Sequence, residues 1–220
     1  ATYVEGARNL LDALVTTAPP VRRLLFVSST VVWGDAGGGW VDETIPTSPD
    51  DFRGKILLEA ERLVRASPFP STVLRLGGIY GPGRTRLIER VRDGEARCPE
   101  GAVVWSNRVH RDDASEMIRH LLEMESPEPI YLGVDDEPAP LCDVYRYVAG
   151  LLGVPPPEPG EGGGGRSGGP RGLSREPARE RSNKRCSNRR IRETGVRLGY
   201  PSYREGYQDV IARERSGAGS

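Results

Sequence analysis

Lysine is nearly absent from this chain. Of 31 basic residues only Lys55 and Lys184 are lysine, leaving 29 arginines. Where almost every generic surface lysine has been replaced, one that remains among other polar residues is a candidate for a specific role. Net charge is absent too, since 31 acidic residues balance the 31 basic ones. That excludes a global field drawing the chain onto nucleic acid or a membrane surface. No apolar run approaches the roughly 18 residues of a membrane-spanning helix, and no secretory leader is visible. The three cysteines, Cys98, Cys142 and Cys186, form no metal-ligand or disulfide pattern, which suits a reducing cytoplasm. Aromatic residues make up 6% and apolar residues 36% of the chain, below the usual range, so the core is expected to be thin.

What is present is concentrated in three stretches. Leu24 to Asp35 (LLFVSSTVVWGD) is an apolar run ending in hydroxyls. Arg53 to Glu61 (RGKILLEAE) is a helical pattern carrying Lys55, and Leu74 to Arg84 (LRLGGIYGPGR) is a second apolar run that closes on Gly-Gly and Gly-Pro-Gly turns. Two buried parallel strands joined by a helix, with polar residues at the strand ends, describe a ligand-binding edge of an open α/β sheet. Ser29 falls at such an end, and Gly77-Gly78 would let backbone approach a ligand closely. The plainer readings are a turn-capping hydroxyl and a tight loop that needs small residues. A serine hydrolase is not indicated, because no G-x-S-x-G elbow occurs.

In order, Ser28-Ser29-Thr30-Val31-Val32-Trp33-Gly34, Asp51 to Lys55, Arg75 to Gly83, and Val109-His110-Arg111-Asp112-Asp113 resemble four motifs of the extended short-chain dehydrogenase/reductase family, the NAD(P)-dependent epimerase/dehydratase group. The resemblance covers roughly residues 1–150 and a tail around SNKRCSNRRI. It implies a partial Rossmann-like, doubly wound parallel α/β sheet with a small C-terminal substrate lobe. NAD or NADP is the implied cofactor, and a sugar nucleotide or another small carbonyl or alcohol compound the implied substrate. Ser29 and Lys55 take the implied catalytic positions. Ser28, Lys55 and Leu76-Gly77-Gly78-Ile79 take cofactor positions, and Thr30, Arg75, Tyr80, Arg84 and His110 substrate positions. No metal is implied, and a homodimer is compatible with the family.

Two departures qualify the resemblance. The family's acid/base tyrosine, four residues before the lysine, is Asp51 here, and no tyrosine lies between Tyr3 and Tyr80. A phenol exchanges a proton with a substrate alcohol, whereas a carboxylate, with an ordinary pKa of about 3.9, is a weak base for that task. Alcohol oxidation by the usual route is expected to be absent or very slow. Asp51 reads equally well as the N-terminal carboxylate of a helix, and on that helix it would tend to pair with Lys55. The second departure is the strand and G-x-x-G-x-x-G turn with which the family begins. Gly162 to Gly165 follow a proline run rather than a strand, so they do not replace it. The chain is therefore expected to be the back part of a longer protein, impaired as it stands. A non-catalytic NAD(P)-binding or protein-interaction member is the alternative.

Three segments are expected: 1–152, the sheet with parts of the lobe; 153–182, a flexible Gly/Pro/Arg-rich stretch; and 183–220, the tail of the lobe. Val4, Ala7, Leu10, Leu11 and Leu14 mark one face of a first helix that Pro19-Pro20 would end. Leu24 to Ser28 reads as a central strand, Thr85 to Gly94, Asp112 to Glu123 and Leu141 to Leu152 as helices, and Asn188 to Gly195 and Tyr203 to Arg213 as short terminal ones. Asp112 or Asp113 is the expected cap of its helix, with Ile118 and Leu122 facing inward beside Ala114, Met117 and Leu121. Residues 155–220 carry 14 basic and 8 acidic side chains, and Lys184 and Arg185 in this basic tail read as surface residues, with contact to a substrate phosphate as the alternative.

Overall fold

The structure, a computed structural model, describes residues 2–17, 20–101, 103–160 and 183–217. Pro19 and most of the expected flexible stretch, 161–182, lie outside the described residues. The elements run α1 (Thr2–Thr17), β1 (Leu24–Ser29), a 3-10 turn (Thr30–Val32), β2 (Trp40–Val41), α2 (Phe52–Arg65), β3 (Ser71–Leu76), β4 (Gly78–Tyr80) and α3 (Arg86–Arg92). They continue with β5 (Trp105–Ser106), β6 (Arg108–His110), α4 (Arg111–Glu123), β7 (Ile130–Gly133), β8 (Ala139–Pro140), α5 (Leu141–Leu152), β9 (Arg185–Cys186), α6 (Arg189–Glu193) and α7 (Tyr203–Gly217).

The central sheet is parallel, with order β1-β3-β7 and register Ser29 opposite Leu76 and Leu76 opposite Gly133. Successive side chains on a strand point to opposite faces. Leu74, Leu76 and Tyr131 pack with Met117 and Leu121 of α4 on one face. Leu132 and Val134 pack with Leu58 of α2, Val32 and Trp33 on the other. Helices on both faces make the sheet doubly wound, as expected. The expected central strand β1 instead lies at the edge of the described sheet, and β3 is the middle strand. A third core, built from α3, α5 and α7 around Ile88, Val144, Val148, Tyr207 and Val210, forms the small lobe.

Local chemistry explains several boundaries. Asp51 caps α2, its Oδ1 accepting from the Gly54 N–H at 2.7 Å. Ser202 and Glu205 form a reciprocal capping box at α7, the hydroxyl accepting from Arg204 N and the carboxylate from Ser202 N. At α4 the cap is neither Asp112 nor Asp113 but His110, whose Nδ1 accepts from Asp112 N at 3.2 Å. Asp113 is drawn inward to accept from Gly199 and Tyr200 N–H groups, which fixes the tail against α4. Leu122, expected inside, is 39% exposed, while Ala114, Met117 and Leu121 are buried in the core and Ile118 packs against it. On α1 Val4 is buried and Leu10 is exposed. Residues 155–160, expected to be mobile, are held at Cys98, which donates its N–H to Glu158 O and accepts from Gly160 N.

Candidate functional site

The site is assembled at the carboxyl ends of β1 and β3. Ser29 is half-buried there, and its Oγ accepts from Val31 N at 3.3 Å, so the hydroxyl starts the 3-10 turn. Thr30 is buried within that turn. The first turn of α2 lies against it: a Cβ on Gly54 would stand 2.8 Å from the Val31 carbonyl oxygen. Only glycine permits this approach, which sets Asp51 and Lys55 beside the Ser29 turn. Lys55 is exposed. Asp51 uses its carboxylate on the Gly54 N–H rather than on Lys55.

Beneath this surface runs a buried polar network. Ser28 Oγ donates to Glu61 at 2.6 Å, and Arg75 grips both oxygens of Glu61, at 3.1 and 2.7 Å. The Arg75 guanidinium also lies 4.5 Å from the centre of the Trp33 ring. Ser28 and Arg75 are 5% and 4% exposed, so the structure places both in the interior rather than at an open surface. Leu76 is likewise a core side chain, and it offers a ligand only its backbone end. Gly77 donates its N–H to Gly133 O and Gly78 to Asn107 O, and Gly78 is exposed.

From Gly78 a cavity of about 330 Å³ opens between the sheet and the small lobe. Ile79, Tyr80 and Arg84, expected at the site, line it together with Arg86, Arg90 and Arg108, which the sequence did not single out. Trp105 and Tyr145 supply aromatic walls. No carboxylate lines the cavity. The buried Arg108 Nε has no hydrogen-bond partner among the described residues, while its Nη1 donates to Tyr207 at 3.1 Å. Tyr80 is buried, stacked on Tyr207 at 4.5 Å, and burial drives its phenol pKa well above the usual value. His110, expected to meet substrate, is fully buried behind this wall. Burial lowers its pKa against the pull of Asp112, Asp113 and Asp209.

The tail contradicts the expected surface reading of Lys184 and Arg185. Lys184 is 2% exposed and donates from Nζ to Trp33 O at 3.1 Å, and desolvation pushes its pKa down. Arg185 is stacked between Trp40 and Trp105, 5.1 and 4.8 Å from their ring centres. Asn107 holds the same strand from both sides, donating to Lys184 O and accepting from Cys186 N. Asn107, 77 residues from Lys184 in sequence, pins this strand, so no pattern around Lys184 carried the signal. The cysteine expectation is also corrected: Cys98 and Cys142 form a disulfide, because folding brings residues 44 apart in sequence to a Cα separation of 5.0 Å. Cys186 is free and buried. Among the described residues no group of side chains suits a metal ion, and no helix is long and apolar enough to cross a membrane.

No family model matches the chain. It is 32% identical over 164 residues to 3-diazoavenalumate denitrifying reductase of a Streptomyces species, covering 70% of this chain and 53% of that protein. It is 35% identical over 158 residues to Protein YeeZ of Escherichia coli K12, covering 71% and 55%. The chain thus spans about half the length of the curated relatives it matches. Among solved structures, a protein of Methylobacillus flagellatus described as an NAD-dependent epimerase/dehydratase superposes with a TM-score of 0.77 at 37% identity, over 96% of this chain and 71% of that one. Identity at that level, sustained over nearly all of this chain and most of the other, carries descent as well as fold. The chain belongs to the NAD(P)-dependent epimerase/dehydratase group of extended short-chain dehydrogenases/reductases.

Proposed function

We propose that the chain carries the catalytic end of an NAD(P)-dependent oxidoreductase or epimerase acting on a sugar nucleotide or another small carbonyl or alcohol compound. The observation that carries this reading is the position of the arginine-lined cavity. It begins at Gly78, two residues beyond the strand end that pairs with Ser29. Four arginines with no carboxylate among the lining residues suit a substrate bearing more than one negative oxygen. The unpartnered Arg108 Nε is a donor still to be satisfied in that wall. Trp105 offers a face for a planar group.

The residues present fit the nicotinamide end of NAD or NADP: the exposed Gly78 admits a ring edge, and exposed Lys55 sits beside the Ser29 turn. A bound nicotinamide would supply the hydride. Lys55 would hold ribose hydroxyls, the backbone of Leu76 to Ile79 would flank the ring, and Ser29 Oγ would orient the substrate oxygen. Thr30, Tyr80 and Arg84 would shape the substrate side. Arg75, Ser28 and His110 would act from behind, fixing the walls. Asp51, at the tyrosine position, is a poor proton exchanger for an alcohol. The diazo-compound reductase suggests one way around this, because a substrate losing nitrogen has no alcohol proton to exchange. A cytoplasmic location and a homodimer belong to the same reading.

The N-cap bond of Asp51 favours a second reading, a non-catalytic NAD(P)-binding or protein-interaction member. Titration with NADH and NADPH, followed by nucleotide fluorescence, separates the cases. Micromolar binding that weakens in Lys55→Met supports a cofactor site. Binding without turnover of any carbonyl or diazo substrate points to the second reading. A folded sample that binds neither nucleotide would sink the first reading and leave only the protein-interaction form of the second.

A further inference from the structure

The cavity is bounded by two helices, with Leu87 and Arg90 on α3 and Leu141 and Tyr145 on α5. The Cys98–Cys142 disulfide joins the chain that leaves α3 to the first turn of α5. On the α3 side the connection to the wall is short: Ala96 N donates to Arg90 O at 3.0 Å, two residues before Cys98. On the α5 side Cys142 follows Leu141, whose N–H donates to Val104 O at 2.8 Å, and Val104 itself lines the cavity. Cys98 also organises residues 157–160, through bonds to Glu158 and Gly160. One covalent bond therefore fixes the spacing of both walls.

The two sulfurs differ in access. Cys98 is 5% exposed, whereas Cys142 is only half-buried. Cys142 is the second residue of α5, whose N-cap, Pro140, gives no side-chain bond to the helix amides. Unsatisfied amides at a helix start stabilise a thiolate. Apolar packing of Ile88, Val91, Val144 and Val148 holds α3 and α5 together without the disulfide. Its cleavage would loosen the walls and leave the lobe folded.

We propose that Cys98–Cys142 is a thiol-sensitive clamp on the cavity, opened and closed by a low-molecular-weight thiol of the glutathione class. A thiolate attacks Cys142 Sγ, the S–S bond breaks, and Cys98 leaves with the electron pair and takes a proton from water. In the reduced state the Pro157 carbonyl, 3.6 Å away, is an acceptor for the Cys98 S–H. A second thiolate attacks the mixed disulfide and releases Cys142 as thiolate, so two small thiols become one small disulfide and the clamp gains two electrons. The place of the clamp in catalysis rests on the cavity being the substrate site, but the tests read thiols and backbone opening rather than turnover.

The protein is equilibrated in glutathione buffers from fully reduced to fully oxidised, trapped by alkylation and weighed. Two more alkylated cysteines in reduced than in oxidised buffer are expected, with the midpoint inside the glutathione range. Free thiols in every buffer, or a disulfide in every buffer, would overturn the proposal. Hydrogen exchange is then compared between the end states. Reduction is expected to speed exchange about tenfold or more in residues 86–98 and 139–152, with β1, β3 and β7 unchanged. Uniform acceleration, or none, would also overturn it. Cys142→Ser is expected to show the reduced pattern in both buffers. Cys98→Ala provides the same check from the buried side.

Discussion

Asp135 is a carboxyl group held out of water. It is 2% exposed, and its Oδ2 has no hydrogen-bond partner among the described residues. Burial pushes its pKa up to about 8, with Glu137 and Asp136 adding to the rise and Arg108 opposing it. In the unfolded chain an aspartate titrates near 3.9. Between those values the folded protein holds a proton that the unfolded chain has lost, so stability falls as pH rises from about 4 to about 8 and then levels. Denaturant midpoints for the unaltered chain are expected to drop from pH 5 to pH 8, and Asp135→Asn should flatten that slope. An equal slope in both proteins would remove Asp135 as the cause. Glu61 presents the opposite case, a buried charge fully paired with Arg75 and Ser28. Glu61→Ala strands the Arg75 guanidinium in the core and is expected to cost about 3–5 kcal/mol in urea unfolding. Asp51→Ala should cost only about 0.5–2 kcal/mol, the range for losing a helix cap, with Asp51→Asn nearly neutral. A catalytic Asp51 would show a loss of turnover even in Asp51→Asn, where the cap and the stability are kept.

Helix α7 can sit where it does because residue 206 has no side chain. A Cβ there would stand 1.9 Å from the Tyr80 hydroxyl and 2.6 Å from its ring. Gly206→Ala is expected to destabilise the lobe by about 1–3 kcal/mol through overpacking. Tyr80→Phe should recover part of that loss by removing the nearest atom, measurable as coupling in a double-mutant cycle. Independent effects would mean that α7 shifts bodily instead. The glycine reads in the sequence only as a weak spot in a helix, because its reason is a strand 126 residues earlier. The same limit explains what else was legible. The apolar run of β3 and the amphipathic pattern of α5 record burial locally, and the ends of α5 agree with the expected ones. Asp51 and Lys55 are four residues apart, so their place in the first turn of a helix could be read. Arg108 and Trp105 become site residues only when β4 pairs with β6 and β5 with β8, Lys184 is buried only when it reaches the Trp33 carbonyl, and no local pattern encodes those meetings. Cys98 and Cys142 failed for the same reason, since spacing alone does not report a Cα distance.

At the scale of the whole molecule the two sides of the sheet differ sharply. The β7 side is covered by α6, while the outer edge of β1 pairs with no strand among the described residues. Val27 on that edge is 41% exposed, and Tyr3, Leu10 and Val15 of the neighbouring α1 are 62%, 56% and 58% exposed. Between them lies an apolar cleft of about 280 Å³, walled by Leu10, Leu24, Phe26 and Val64. Unpaired backbone beside exposed apolar side chains is a template on which a second copy of the chain can add its own edge. The 220-residue chain by itself is therefore expected to self-associate through β1 as its concentration rises. Sedimentation velocity should show the mean mass increasing over a dilution series, and Val27→Lys should hold the chain monomeric by placing a charge on the edge. A substitution of similar exposure far from the edge, Leu122→Lys on α4, should leave association unchanged. Monomer at every concentration in the unaltered chain would show that twist or α1 already protects the edge. Association that survives Val27→Lys but is lost in Leu10→Lys would move the contact from the strand to the helix face.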